Sequence, residues 1–237
     1  MNLVQLYRKM RYSGGYGVHS PFVFRLITQV IGEKECAYYA YDDMDMLRRK
    51  LKHNPETATV EKQAITRKKG ELLFRLANDF AFRSILQLGA SQGLPALYLT
   101  AYSKEARCLI LEEDKEQVAL AQKVLSYSKT TRVNLEEKSS DSIQKELTKS
   151  ELEGIDCFYF HLPTDAKAHA TLLRSWIPMA TEESVFILND IRTNKEAQQL
   201  WKELIEHPRV TVSIELYDIG LLLLNTRYNK KHYNVYY

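Results

Sequence analysis

The chain has 237 residues, of which 45% are hydrophobic and 27% charged, and a formal net charge of +3 at pH 7. These values fit one α/β domain with an appendage and are ordinary for a globular protein. The small net charge does not indicate a nucleic-acid-binding protein, and no apolar run approaches the roughly 20 residues that a membrane-spanning helix needs. We therefore expect neither a nucleic acid nor a membrane as a partner.

The three cysteines, Cys36, Cys108 and Cys157, are far apart and form no CxxC pair. An odd, unpatterned count argues against a disulfide framework or a zinc site and for a reducing compartment. The first residues also lack the apolar core and cleavage site of a signal peptide. The sequence therefore predicts a cytoplasmic protein.

Residues 1–80 are predicted to form a mainly helical N-terminal extension, and residues 81–237 the α/β domain. A glycine-rich break at 12–17 precedes a helix that Ser20 can cap and Pro21 can open. Further helices are expected at 38–51 and 61–80. His19 precedes the first helix, where it can act as a lid over a ligand or pack the helices onto the domain.

From residue 84 onward, apolar runs alternate with amphipathic segments, and this alternation predicts a parallel sheet covered on both faces. The last two apolar runs are too close in sequence for a crossover helix, so the last strand is predicted to be antiparallel. The tail at 228–237 suits an edge strand or an interface, including that of a homodimer. The predicted strands are 84–89, 107–112, 131–136, 155–160, 184–189, 209–216 and 219–225. The predicted helices between them are 93–103, 115–127, 141–150, 166–176 and 194–206.

A glycine turn follows the first predicted strand. The apolar run ends at Gly89, and Gly93 follows just before a helix, so the backbone there can turn sharply and approach a polar or anionic ligand. The second apolar run ends in Glu112 and Glu113, about 20 positions later, where an acid suits a ribose diol. The spacing is not that of the dinucleotide fingerprint. An ordinary tight turn between a strand and a helix is the alternative.

Several segments taken together look like a bacterial branch of O-methyltransferase-like proteins, within the class I S-adenosylmethionine (SAM)-dependent methyltransferases. The resemblance covers nearly the whole chain and implies a Rossmann-like, seven-stranded, mostly parallel sheet with one antiparallel strand. It also implies SAM as the cofactor and methyl transfer to oxygen of a small-molecule acceptor. The segments are Gly17–Phe24, Gln87–Gly93, Leu111–Glu113, Asn189–Ile191, the helix around Trp201, Val210–Gly220 and Lys231–Tyr233.

The resemblance assigns cofactor-binding roles to particular positions. Gly89 and Gly93 match the turn beneath the methionine part of SAM, with Ala90 between them, and Glu112, followed by Glu113, matches the ribose-binding acid. Ser140 and Asp141 fall where family members contact the adenine.

Several positions depart from the family pattern, and one of them is Ala90, which replaces a common small polar or glycine residue. Gln87 replaces an acid that faces the SAM ammonium, so we expect weak SAM binding that Gln87→Glu would tighten. His161 stands where an acid usually follows the fourth strand. Asp190 is the only charged member of the pair Asn189–Asp190, where two acids are usual.

His161 and Asp190 are the candidate catalytic residues. An imidazole at a strand end can act as a general base, although a loop-capping histidine is the alternative. Asp190 can orient the acceptor or cap the helix beginning near Thr193. One carboxylate serves a hard cation poorly, so no metal is expected. A non-catalytic methyltransferase-like domain that binds SAM or another ligand, or acts as an interaction module, is the alternative to an enzyme.

Overall fold

The computed structural model of the chain describes residues 17–33, 35–55, 57, 64–162 and 166–237. The chain divides into two compact units, one of residues 35–147 and one of residues 1–34 and 148–237. The predicted glycine-rich break lies outside the described residues except for Gly17, as does the beginning of the helix predicted at 61–80. The boundary predicted at residue 80 remains a prediction.

The helices begin mostly at polar side chains that cap their first turn. Ser20 accepts a hydrogen bond from the amide of Val23, as predicted, and Asp114 accepts from two amides of the helix that follows it. In chain order the helices are α1 (Pro21–Arg25, followed by a π-helical turn at Leu26–Ile31), α2 (Tyr39–His53), α3 (Arg67–Phe80), α4 (Leu94–Thr100), α5 (Lys115–Ser128), α6 (Ser140–Glu146), α7 (Lys149–Glu153), α8 (Ala166–Trp176) and α9 (Lys195–Glu206).

The strands make a mixed, mostly parallel sheet, which together with the helices defines an α/β fold. Their positions follow the predicted apolar runs closely, because each run is short and bounded by glycine, charged or polar residues. The strands are β1 (Ser84–Leu88), β2 (Arg107–Glu112), β3 (Val133–Glu137), β4 (Cys157–His161), β5 (Val185–Asn189), β6 (Val212–Glu215), β7 (Ile219–Leu223) and β8 (Lys231–Asn234).

The unit of residues 35–147 contains three parallel strands in the order β3-β2-β1. Gln87 pairs with Ile110, and Leu111 pairs with Glu136, so the carboxyl ends of all three strands meet at one edge. The helix α4, which follows the glycine turn, is buried along its whole length. Because α4 is packed in the interior, it holds the turn between β1 and α4 in a fixed position.

The other unit contains five strands in the order β4-β5-β7-β6-β8. β4 and β5 are parallel, whereas β7 runs antiparallel to both of its neighbours. The prediction of one antiparallel strand after a set of parallel ones is therefore confirmed. It holds because only three residues connect β6 to β7, which leaves no room for a crossover.

The expected count of seven strands is wrong, because the described residues contain eight. The tail supplies the additional strand, β8, which pairs parallel to β6 with Lys231 opposite Val212. Tyr233 and Val235 are buried, while Lys231 is exposed. The alternation of the tail thus places apolar side chains on one face, which is what anchors an extra edge strand.

No helix among the described residues is long and apolar enough to cross a membrane. Cys108 and Cys157 are buried free thiols, and Cys36 is an exposed one. Burial raises the pKa of the Cys108 thiol, so this side chain stays protonated and packs as a small apolar group.

Candidate functional site

The turn between β1 and α4 has an unusual backbone. Gly89 and Gly93 have φ of 82° and 77°, as expected for glycine, but Ser91 and Gln92 between them also have positive φ, at 42° and 56°. A left-handed conformation costs a residue with a Cβ roughly 1–3 kcal/mol, and such strain concentrates where backbone meets ligand. Ser91 and Gln92 are both buried. Neither residue type predicts a positive φ, so these two strained positions were not expected.

Glu112, at the carboxyl end of β2, holds this turn in place. Its Oε2 accepts a hydrogen bond from the amide of Ala90 at 2.7 Å, and its Oε1 accepts from the amides of Glu113 and Asp114 at 2.9 Å each. The side chain is 7% exposed. A carboxylate has about four acceptor positions, so one position on Oε2 is left after these three bonds.

Gln87 is buried beneath the same turn. Its Nε2 donates to the carbonyl oxygens of Gly89 and Ala90, both at 2.9 Å. Its Oε1 is buried and has no hydrogen-bond partner among the described residues. The amide therefore does two things that a carboxylate cannot do together, since it clamps two carbonyl groups and still presents an acceptor atom.

The ends of β2 and β3 are joined by a further contact. Oε2 of Glu113 accepts a hydrogen bond from the amide of Ser140 at 3.0 Å. Ser140 opens helix α6, and Asp141 follows it in the first turn. The structure thus brings Gln87, Gly89, Ala90, Glu112, Glu113 and Ser140 together at one edge of three parallel strands.

Gly93, the last residue of the turn, packs against α5. A Cβ at this position would lie 3.3 Å from Cγ and Cδ2 of Leu125. Gln92 contacts the same helix, because its Nε2 donates to Oε1 of Gln117 at 3.4 Å. Oε1 of Gln92 is a second buried acceptor without a partner among the described residues.

A second cluster lies at the carboxyl ends of β4 and β5, in the other unit. His161 pairs with Asn189 in the sheet register, and Asp190 follows directly. Nδ2 of Asn189 lies 2.8 Å from Oδ2 of Asp190 and 3.2 Å from Nδ1 of His161. The imidazole and the carboxylate are 3.8 Å apart. The structure therefore brings both predicted catalytic residues together, with Asn189 between them.

The carboxylate of Asp190 decides which way the Asn189 amide faces. Because Asp190 can only accept, Nδ2 of Asn189 has to point towards it, and the same Nδ2 then donates to Nδ1 of His161. In this arrangement a neutral His161 carries its own proton on Nε2. The imidazole thus presents an N–H donor, and the carboxylate of Asp190 presents acceptor oxygens.

Asp190 itself has a strained backbone, with φ of 62°. The amide of Ile191 donates to the carbonyl of Asp218 at 3.0 Å, which ties this loop to the beginning of β7. The predicted alternative, that Asp190 caps the next helix, does not describe α9, whose capping side chain is Asn194. Strain of this kind at a strand end is typical of a functional position.

Tyr159, two residues before His161 on β4, was not singled out by the sequence. Its hydroxyl is buried without a hydrogen-bond partner among the described residues. Burial, and then the carboxylates of Asp190 and Asp218, raise the pKa of this phenol well above its usual value. A run of apolar and aromatic residues does not show whether a tyrosine lines a binding site or packs in the core.

In the part of the chain that the structure describes, no three His, Cys, Asp or Glu side chains are grouped so as to hold a metal ion. The cluster at β4 and β5 offers one imidazole, one amide and one carboxylate. Such a set serves a hard cation poorly.

The sequence matches no protein-family model and no curated protein. Solved structures do match. The O-methyltransferase TomG from Streptomyces achromogenes, in complex with SAM, has a TM-score of 0.59 at 16% identity, over 84% of this chain and 96% of that one. The SAH-bound methyltransferase PaMTH1 from Podospora anserina has a TM-score of 0.60 at 13% identity, over 87% and 97% of the two chains. An O-methyltransferase from Bacillus cereus in complex with SAH has a TM-score of 0.57 at 15% identity, over 84% and 96%.

At these identities the matches show a shared fold. The chain has the Rossmann-like fold of the class I SAM-dependent O-methyltransferases over nearly its whole length. The fold named by the resemblance is confirmed, and the roles of individual residues stay predictions.

Proposed function

We propose that the chain is a SAM-dependent methyltransferase that transfers a methyl group to an oxygen of a small-molecule acceptor. The observation that carries the proposal is Glu112, whose buried carboxylate at the tip of β2 is tied to the glycine turn and keeps one acceptor position. In open α/β sheets, ligands bind at the carboxyl ends of the strands. Both candidate clusters lie at such ends.

The donor set at the turn fits SAM. The remaining acceptor position of Glu112 suits one ribose hydroxyl, and the exposed Glu113 beside it suits the second. The buried oxygens of Gln87 and Gln92 lack partners among the described residues and suit the ammonium group of the methionine part. Asp141, in the first turn of α6, is the remaining candidate contact to the adenine.

When bound, SAM supplies an electrophilic methyl group, and transfer of that group to a hydroxyl oxygen releases one proton. We assign acceptance of that proton to the carboxylate of Asp190, since Asn189 occupies Nδ1 of His161. The Nε2–H of His161 donates a hydrogen bond to the acceptor oxygen and orients it. Positioning of this kind supplies much of the acceleration in an in-line displacement, so few side chains need to react.

A transfer assay with methyl-labelled SAM tests the proposal against a panel of phenols, catechols and hydroxy acids. Asp190→Asn should lower turnover about 100-fold, the usual loss when a general base is removed, while SAH affinity stays unchanged. His161→Gln should mainly raise KM for the acceptor. A folded wild-type protein that binds SAM but methylates no acceptor would favour the non-catalytic alternative.

We also propose that the protein is cytoplasmic, because its three cysteines are free thiols in the structure. The homodimer remains a prediction. Purification under non-reducing conditions, followed by thiol titration and light scattering, tests both points.

A further inference from the structure

A cavity of about 600 Å³ lies between the segment that opens α1 and the turn that leads into β8. It belongs to the unit of residues 1–34 and 148–237 and contains none of the candidate catalytic residues. Its lining includes His19, Ser20, Phe22, Arg227, Tyr228 and Lys231. The volume is that of a small-molecule site.

The cavity lies at the opposite end of the strands from the His161–Asn189–Asp190 cluster. Val212, in its wall, pairs with Leu223, which pairs with Val185 at the beginning of β5. Asn189 is at the other end of β5, four residues along, which corresponds to about 13 Å of strand. A ligand in this cavity is therefore not the acceptor of a methyl group at Asp190.

The charges of the lining have one sign. Arg227 and Lys231 carry permanent positive charges and His19 can gain one, whereas no carboxylate is among the described lining residues. No salt bridge involves the Arg227 or Lys231 side chain within the described residues. A concave surface lined by two cations and no carboxylate attracts an anion.

Two neighbouring carboxylates accept hydrogen bonds from residues beside the cavity. Glu183 accepts a hydrogen bond from Nδ2 of Asn225 at 2.9 Å, and Glu182 accepts from the hydroxyl of Thr226 at 2.8 Å. Both bonds hold the turn from which Arg227 projects. These acids fix the position of the turn and lie outside the cavity lining. Burial, and then the charge of Glu183, raise the pKa of the Tyr228 hydroxyl.

The walls are joined by aromatic contacts. The rings of Phe22 and Tyr228 stack with centroids 4.7 Å apart and planes 14° apart. The ammonium of Lys231 lies 5.4 Å from the centre of the Tyr233 ring. The cavity therefore combines two cations, hydroxyl and amide groups, and aromatic edges.

We propose that this cavity is an accessory binding site for a phosphorylated small molecule. The planar fork of Arg227 and the ammonium of Lys231 bind the phosphate, and the Phe22–Tyr228 pair contacts the organic part. The site is independent of the proposed methyl transfer. A protein that binds no SAM at all could still bind a phosphate monoester here.

Titration of the full chain with phenyl phosphate, followed calorimetrically, tests the proposal. We expect saturable binding that weakens about tenfold in Arg227→Gln and in Lys231→Gln, because each loses a charge-assisted hydrogen bond. Inorganic phosphate should bind more weakly, benzoate more weakly still, and phenol not measurably. Binding should also fall with added salt.

Lys230→Gln is the matched control. Lys230 lies between the two cationic residues, but its ammonium donates to the carbonyls of Glu206 and His207 at the end of α9. This variant should bind phenyl phosphate as the wild type does. An equal loss in Lys230→Gln, equal binding of phenol, or no phosphate binding at millimolar concentration in the folded wild type would overturn the proposal. Circular dichroism of each variant establishes that it is folded.

Discussion

At the scale of single residues, the candidate cofactor turn depends on two side chains that face the same backbone. Glu112 accepts from three amides and Gln87 donates to two carbonyls. The acid supplies acceptors and the amide supplies donors, so neither can take the other's place. Donation to two carbonyl groups requires an amide at Gln87, where the resemblance leads us to expect an acid.

The structure reverses our expectation for Gln87→Glu. The new carboxylate would be buried and would face two carbonyl oxygens, so ionisation would be disfavoured and its pKa in the folded protein raised. We expect the variant to lose roughly 2–3 kcal/mol of unfolding free energy at pH 8, because a buried group would lose its partners. The loss should be smaller at pH 5, since the stability of a group with a raised folded-state pKa is retained below that pKa.

Urea denaturation of wild type and Gln87→Glu at both pH values measures this difference. Gln87→Met, which cannot ionise, serves as the control and should show little difference between the two pH values. A Gln87→Glu variant as stable as the wild type at pH 8, with tighter SAM binding, would restore the original interpretation.

Sequence reasoning singled out Glu112, His161 and Asp190 because each follows or ends an apolar run, which is the pattern of a strand end. It could not find the role of Gln87, because that role depends on the directions of two carbonyl groups within the turn. The same turn contains three consecutive residues with positive φ. It also missed Asn189 as the residue that joins His161 to Asp190. Such roles follow from hydrogen-bond directions, which a pattern of residue types does not contain.

At the scale of elements, the antiparallel strand β7 packs closely on α9. Gly220 pairs with Glu215 of β6, and the Trp201 side chain of α9 lies over it. The indole also donates from Nε1 to the buried Glu215 at 3.0 Å. Arg192 bonds the same carboxylate. The position of the β6–β7 pair is thus coupled to the helix above it.

Gly220→Ala should destabilise the protein by roughly 1–3 kcal/mol, the usual cost of overpacking a core. The added Cβ would lie 2.4 Å from Cζ3 of Trp201, closer than packed atoms approach. Gly154→Ala is the control, because its Cβ would lie 3.3 Å from the nearest atom outside its immediate chain neighbours, the carbonyl oxygen of Glu151. Chemical unfolding curves of the two variants check this, and equal stability of both would show that the Trp201 helix is free to move.

Most strands and helices from residue 84 were predictable because each buried strand is a short apolar run and most helices have an amphipathic period. The single helix predicted at 141–150 is two helices, α6 and α7, since Thr148 caps a new helix. The eighth strand was harder to predict. Its signal is the alternation that buries Tyr233 and Val235, and the same alternation also suits an interface. The pairing of Lys231 with Val212 shows the edge strand, and the interface stays a prediction.

At the scale of the whole molecule, the chain has the fold of O-methyltransferases while sharing no more than 16% identity with the three described above. We propose that Glu112, at the end of β2, holds the ribose of SAM.

Calorimetric titration of SAH into the purified chain tests this claim most directly. We predict 1:1 binding that weakens at least tenfold in Glu112→Gln, since a charge-assisted bond to ribose is worth about 1.5–3 kcal/mol. Glu116→Gln, which removes the same charge one turn away in α5, should change the affinity less than about twofold, as expected for an exposed charge. No binding of SAH by folded wild-type protein at millimolar concentration, or the same affinity in wild type and a folded Glu112→Gln, would contradict the claim.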